Sequence, residues 1–91
     1  MSVLPLPDEI TQKQATACLA MLVQGLKSVA GPSLVVDATA LARFDSSALA
    51  VLLELRRECL AMGKDFAVKG LSARLENLAT LYGIADLMPA A

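Results

Sequence analysis

The residues best suited to chemistry are few. Asp45-Ser46-Ser47 is the densest polar constellation in the chain, and Asp37 is the nearest carboxylate before it. A serine nucleophile needs a neighbouring base to take its proton. The chain has no His, and no Lys stands at a recognisable spacing from either Ser. The other carboxylates are scattered without an acid/base pair, and no glycine-rich phosphate loop is present. Cys18 and Cys59, without His, are too few ligands for a zinc site. Both fall within apolar helical patterns, where a thiol is a small buried hydrophobe. A disulfide, a redox pair or a catalytic thiol is the other reading, with no His to activate it. No metal or cofactor is expected, and the chain reads as a binding protein, not an enzyme.

Asp45-Ser46-Ser47 has two readings. Either Ser, or Asp45 itself, can cap a following helix by accepting a bond from an orphan backbone N–H. The functional reading is a phosphoacceptor or a partner contact. A helix N-terminus tolerates a phosphate, and a phosphoserine beside Asp45 would add about −1.5 to −2 charges. The helix would stay folded while its surface became unfit for a partner that had met a neutral hydroxyl.

Positioning these residues falls to three strand–helix pairs. Val3 to Pro7 is extended by its prolines and belongs at a sheet edge or strand end. Thr11 and Gln14 match a capping box, opening a helix that carries Ala15, Cys18, Leu19, Leu22, Leu26 and Val29 and stops at Gly31-Pro32. Leu34-Val35-Val36 is short and apolar, which suits a central parallel strand covered on both faces. Ala38 to Asp45 reads as a loop, and a second helix runs from Ser46 or Ser47 to about Met62. Phe66 to Val68 is the third strand, and Ser72 caps a third helix with the stripe Leu71, Leu75, Leu78 and Tyr82. Gly83 ends it, and Ile84 to Leu87 forms one further turn. Alternation at this spacing predicts an α/β fold with right-handed crossovers and a mostly parallel sheet. The rim at the carboxyl ends of its strands holds Asp37, Asp45 and the start of the second helix.

The second helix has two apolar stripes. Ala48, Val51, Leu52, Leu55, Cys59 and Met62 face the sheet; Leu49, Leu53 and Leu60 form another, flanked by Arg56 and Arg57. Covering a sheet takes only one. Either another helix packs on the second stripe, or it is an apolar strip rimmed by Arg, the composition of a binding surface. Ala48, Leu49, Leu53, Arg56 and Arg57 are therefore candidates for contact with a partner.

The totals narrow the classes further. Ninety-one residues fit a single domain, residues 1–91, and a 56% apolar composition compensates for its small size. The net charge is −1, and no Lys/Arg run exceeds Arg56-Arg57, so nucleic acid is not an expected ligand. Met1 to Glu9 lacks the charged and apolar regions of a signal peptide. Gln14 to Leu26, the longest uncharged stretch, is too short to span a membrane. Reduced thiols fit the cytoplasm.

Leu34-Val35-Val36-Asp37, the loop after it, and Phe44-Asp45-Ser46-Ser47-Ala48-Leu49 together resemble the signature of STAS domains. The likeness continues through Gly63-Lys64, Phe66 to Val68 and Gly70-Leu71-Ser72. The tail Leu78 to Leu87 resembles more specifically the MlaB-type branch, a small STAS subunit of the bacterial ABC system that moves phospholipids between membranes. The resemblance implies a small STAS fold, a sheet of three to four strands with three main helices. It also implies a role: binding the transporter's ATPase subunit, which sits with a membrane permease, and so cytoplasmic with peripheral association with the inner membrane. In MlaB-like proteins the hydroxyl right after the Asp matters, here Ser46. In the anti-sigma factor antagonists, the other large STAS branch, a kinase phosphorylates the second of the pair, here Ser47. Those antagonists usually have Gly next, where Ala48 stands. Both hydroxyls are present, so the motif alone does not choose. The short N-terminal region leaves the number of leading strands open, and an incomplete sheet edge could pair with a second copy when the partner is absent.

Overall fold

Leu34-Val35-Val36 forms the middle of a three-stranded sheet. The computed structural model describes residues 2–91. In chain order these form β1 (Ser2–Pro5), β2 (Glu9–Ile10), α1 (Ala15–Lys27), β3 (Ser33–Asp37) and β4 (Arg43–Phe44). They continue with α2 (Ser46–Ala61), β5 (Asp65–Lys69), α3 (Ala73–Leu81) and a 3-10 turn at Ala85–Leu87. The sheet order is β1-β3-β5, all parallel, so the expected α/β architecture with three helices is present. The expected loop from Ala38 to Asp45 instead contains β4, which pairs in parallel with β2 as a separate small sheet. Two residues are too short a run to show an alternating pattern.

The order β1-β3-β5 never reverses. Right-handed crossovers that always step in one direction lay every helix on the same face. Burial agrees. Leu34, Val36, Phe66 and Val68 share a core with Cys18, Leu22 and Leu26 of α1, Leu52 and Leu55 of α2, and Leu75 of α3. The alternate residues Val3, Val35 and Ala67 are cross-strand neighbours on the other face. Val35 is buried there but lies outside that core, and Val3 is exposed. All three residues of Leu34-Val35-Val36 are buried, as expected of a central strand, with Val35 outside the core that the helices share.

The helix boundaries follow from their caps. Only half of the Thr11 box forms: the Gln14 side-chain carbonyl accepts from the Thr11 N–H at 2.9 Å, but the Thr11 hydroxyl also donates to it. That hydroxyl therefore caps nothing, and α1 starts a turn later than expected. At the far end of α2, Gly63 N–H reaches the Leu60 carbonyl and Lys64 N–H the Cys59 carbonyl, a Schellman closure. It leaves Met62, expected on the core stripe, 45% exposed. The end of α3 repeats the closure, with Gly83 N–H to Thr80 and Ile84 N–H to Ala79. That turn folds Ile84 against the core and leaves Tyr82 58% exposed, correcting its expected place on the core stripe. Cys18 and Cys59 are free and buried, and burial pushes both thiols up. Cys59 Sγ donates to backbone carbonyls of Lys64 and Asp65, so both act as small core residues, as expected.

Gly70 closes β5 at φ 71°, and a Cβ there would lie 3.0 Å from the Thr39 backbone nitrogen and overlap the Thr39 hydroxyl. Gly63 has a similar φ of 74° with open space around it. Gly63→Ala is expected to cost about 1–2 kcal/mol from backbone strain alone, and Gly70→Ala distinctly more. Urea midpoints compare the two directly; equal losses would mean the turn at Thr39 yields freely.

Candidate functional site

The chain reaches α2 through β4 and Asp45, whose extended backbone places its carboxylate over the first turn. One oxygen accepts from the Ser47 N–H at 2.8 Å, which makes Asp45 the N-cap. The other accepts from the Gln12 N–H at 3.1 Å, at the entry to α1. These bonds, with a smaller contribution from the Ser47 hydroxyl, hold the Asp45 carboxyl below its ordinary range. Both oxygens are engaged by backbone, so Asp45 serves as an anchor and is poorly placed to act as a base.

Asp37 is a separate feature. Its carboxylate accepts from the Thr39 N–H and hydroxyl and lies 3.9 Å from the Lys69 ammonium. Those contacts, the Thr39 hydroxyl first, hold its carboxyl below the usual range. Among the described residues no hydrogen bond or ion pair joins Asp37 to Asp45, Ser46 or Ser47. The two carboxylates share a rim but not a site. A strand order without reversal also creates no switch-point crevice for a ligand between them.

What the fold does build is a groove on the outer side of α2. It holds about 300 Å³ and is lined by Ser46, Leu49, Ala50, Leu53, Tyr82 and Ile84. Ser46, Leu49, Ala50 and Leu53 follow three- and four-residue spacing along one ridge of the helix. Tyr82 and Ile84 arrive from the Schellman turn after α3, so the opposite wall is tertiary. Leu49 forms a buried floor and Leu53 is half-buried.

The candidate residues thus divide. Ser46 is exposed at the groove, while Ser47 is half-buried beside Asp45. Leu49 and Leu53 line the groove, and Arg57 is exposed, with Glu54 at 3.9 Å. Arg56 is half-buried. Ala48, expected at a partner contact, is fully buried in the core, because its side chain falls on the sheet-facing stripe. Sequence reasoning missed Ala50, although its spacing from Ser46 and Leu53 was readable. It also missed Gln12, Tyr82 and Ile84, which no local signal connects to α2. Arg74 on α3 lies over the Phe44 ring, 5.0 Å from its centroid, two residues before Ser46. A larger hollow of about 590 Å³ lies elsewhere, between the end of β5, α3 and the C-terminal tail, among Lys69, Glu76, Asp86 and Met88.

Replacing Asp45 by Ala is expected to lower stability at neutral pH, where its carboxylate is ionised. A depressed folded-state pKa stabilises above the ordinary Asp value of about 3.9, and the effect is lost as pH falls through the folded value. The gap in urea midpoint between wild type and Asp45→Ala should therefore close in strong acid. A gap that persists there would assign Asp45 a packing role instead.

Comparison with known proteins agrees with this architecture. A family model described as Mlab, STAS domain, matches residues 2–89. No curated protein matches the chain. Among solved structures, the anti-sigma factor antagonist SpoIIAA in its unphosphorylated form superposes with a TM-score of 0.74 at 19% identity, covering 98% of this chain and 77% of that one. A sulfate transporter family protein from Wolinella succinogenes superposes with a TM-score of 0.70 at 15% identity, covering 93% and 68%. At these identities the superpositions speak for the fold. With the family model spanning nearly the whole sequence, the chain belongs to the STAS domain family and is of the MlaB type.

Proposed function

We propose that this chain is a non-catalytic accessory subunit that docks on the ATPase of an ABC transporter for phospholipids and helps assemble or regulate it. The observation that carries the reading is the apolar groove with Ser46 at its edge. Its floor and walls come from Leu49, Ala50, Leu53, Tyr82 and Ile84, a surface suited to an apolar side chain of another protein. The MlaB-type family model supports the choice of partner. Among the described residues no helix is long and apolar enough to cross a membrane. Association with the inner membrane from the cytoplasm would then come through the ATPase and its permease.

The second reading is an anti-sigma factor antagonist switched by a kinase, favoured by the two adjacent hydroxyls at the start of α2. Of the two, Ser46 is the more open, and Ser47 contributes a bond to Asp45. Phosphate addition under an active cognate kinase, read by intact mass, would move the case to this reading.

Docking buries the groove, so a carboxylate at position 46 would lose its water without a partner in place. Ser46→Glu is expected to weaken binding of the purified ATPase at least about tenfold, roughly 1.4 kcal/mol, while Ser46→Ala stays near wild type. Titration by calorimetry reads both. Unchanged affinity for Ser46→Glu would remove Ser46 from the interface.

A further inference from the structure

The outer ridge of α2 runs on past the groove. Ser46, Ala50, Leu53, Arg57 and Leu60 succeed one another at steps of three and four residues, so they stand on one line along the helix. Ser46, Ala50, Arg57 and Leu60 are exposed, and Leu53 is half-buried. At a rise of about 1.5 Å per residue, the line is about 21 Å long. Its chemistry has an order: the groove, then a cation, then Leu60, an apolar side chain left 45% exposed.

Charge on this line has one sign. No carboxylate stands on it, and no charged side chain lines the groove. The Arg57 side chain is 80% exposed, and its ion pair among the described residues is with Glu54 at 3.9 Å. An exposed pair at that distance holds weakly, so the guanidinium is free to turn to a carboxylate brought by a partner. The hydroxyls of Ser46 and Tyr82, at the groove, are further donors.

Shape narrows the ways in which another chain can dock. An extended strand takes its affinity from main-chain bonds to a sheet edge. The ridge offers no such edge, because the α2 backbone is bonded within the helix. A polyproline segment needs a groove lined by aromatic rings, and this one has only Tyr82. A straight strip with apolar anchors at helical spacing suits an amphipathic helix laid along it.

We infer that the occupant of this strip is an amphipathic helix of about four turns, apolar at two points and acidic between them. One apolar side chain of that helix fills the groove over Leu49 and Leu53. An Asp or Glu reaches Arg57, and a second apolar side chain lies on Leu60. This rests on the docking reading and gives the ATPase segment its chemistry.

Calorimetry against the purified ATPase, joined to photo-crosslinking from position 60, tests it. Arg57→Glu is expected to weaken binding at least about tenfold, and Arg57→Lys to keep most of it. Raising salt from about 0.05 to about 0.5 M should weaken wild type and leave Arg57→Glu little changed. Ala50→Tyr fills the mouth of the groove without adding charge and should weaken binding as much. Lys69→Glu makes the same change of net charge in the separate hollow at the end of β5 and should not. All three positions are exposed, and unchanged urea midpoints show that the variants fold. A benzophenone side chain in place of Leu60 should crosslink to an ATPase helix with an Asp or Glu about one turn away. Replacing that carboxylate by Arg should restore binding to Arg57→Glu. Binding that ignores both Arg57→Glu and Ala50→Tyr overturns this inference and leaves the docking reading standing. So do crosslinks that fall on a strand, a loop or a helix without a carboxylate. A wild-type chain that does not bind the ATPase overturns the docking reading, and this one with it.

Discussion

The carboxylate of Asp45 joins two segments that lie far apart in the chain. One oxygen fixes the first turn of α2, and the other holds the Gln12 N–H at the approach to α1. Beside it, β2 and β4 pair in parallel, and the Asp45 N–H reaches toward the Ile10 carbonyl. The two helices therefore start from one tied point and run alongside each other. That arrangement lets the four-residue spacing of Cys18, Leu22 and Leu26 share one core with Leu52, Leu55 and Cys59. At the opposite end of the sheet, the Lys64 ammonium donates to the Gly31 carbonyl, and the Asp65 N–H donates to the Pro32 carbonyl at 2.9 Å. Each end of the α1–α2 layer is thus closed by a hydrogen bond between segments distant in sequence.

The second constraint is the direction of the strands. Because β1, β3 and β5 follow one another across the sheet, all the helices sit on one side, and no crevice opens between diverging crossovers. The hollow at the end of β5 is bounded by α3 and the C-terminal tail, not by two diverging crossovers. On α2 the ridge of Ser46, Leu49, Ala50 and Leu53 forms one wall of the apolar groove.

How far the sequence disclosed this depends on the range of the interactions. The helices, the cap at Ser72, and the Gly63 and Gly83 stops were legible because each rests on residues within a few positions, whereas the choice of Asp45 over Ser46 or Ser47 as the cap of α2 came only with the structure. The placing of all three helices against Leu34 and Val36 was not legible, because Leu34-Val35-Val36 reads the same whichever of its faces the helices take. Thr11 and Gln14 matched a box by spacing, yet spacing cannot say which of two oxygens accepts. At the candidate site, the α2 ridge was present in the spacing of Ser46, Leu49 and Leu53. The opposing wall was not, because Tyr82 was assigned to the core by helical periodicity. The Schellman turn at Gly83 instead places Ile84 against the core.

The division of labour within Asp45-Ser46-Ser47 follows from that geometry. Since Asp45 caps α2, neither hydroxyl is needed to start the helix. Ser47 still faces the anchor and contributes to holding its carboxyl ionised, so a change there acts on the fold as well as on the surface. Ser46 turns toward the groove and away from that duty. A change in size or charge at Ser46 would thus alter the edge of the groove and leave the cap, the Gln12 tie and the α1–α2 packing in place. The fold separates the residue that holds the helix from the residue at the edge of the groove. That separation is what would allow a single hydroxyl to govern docking without cost to stability.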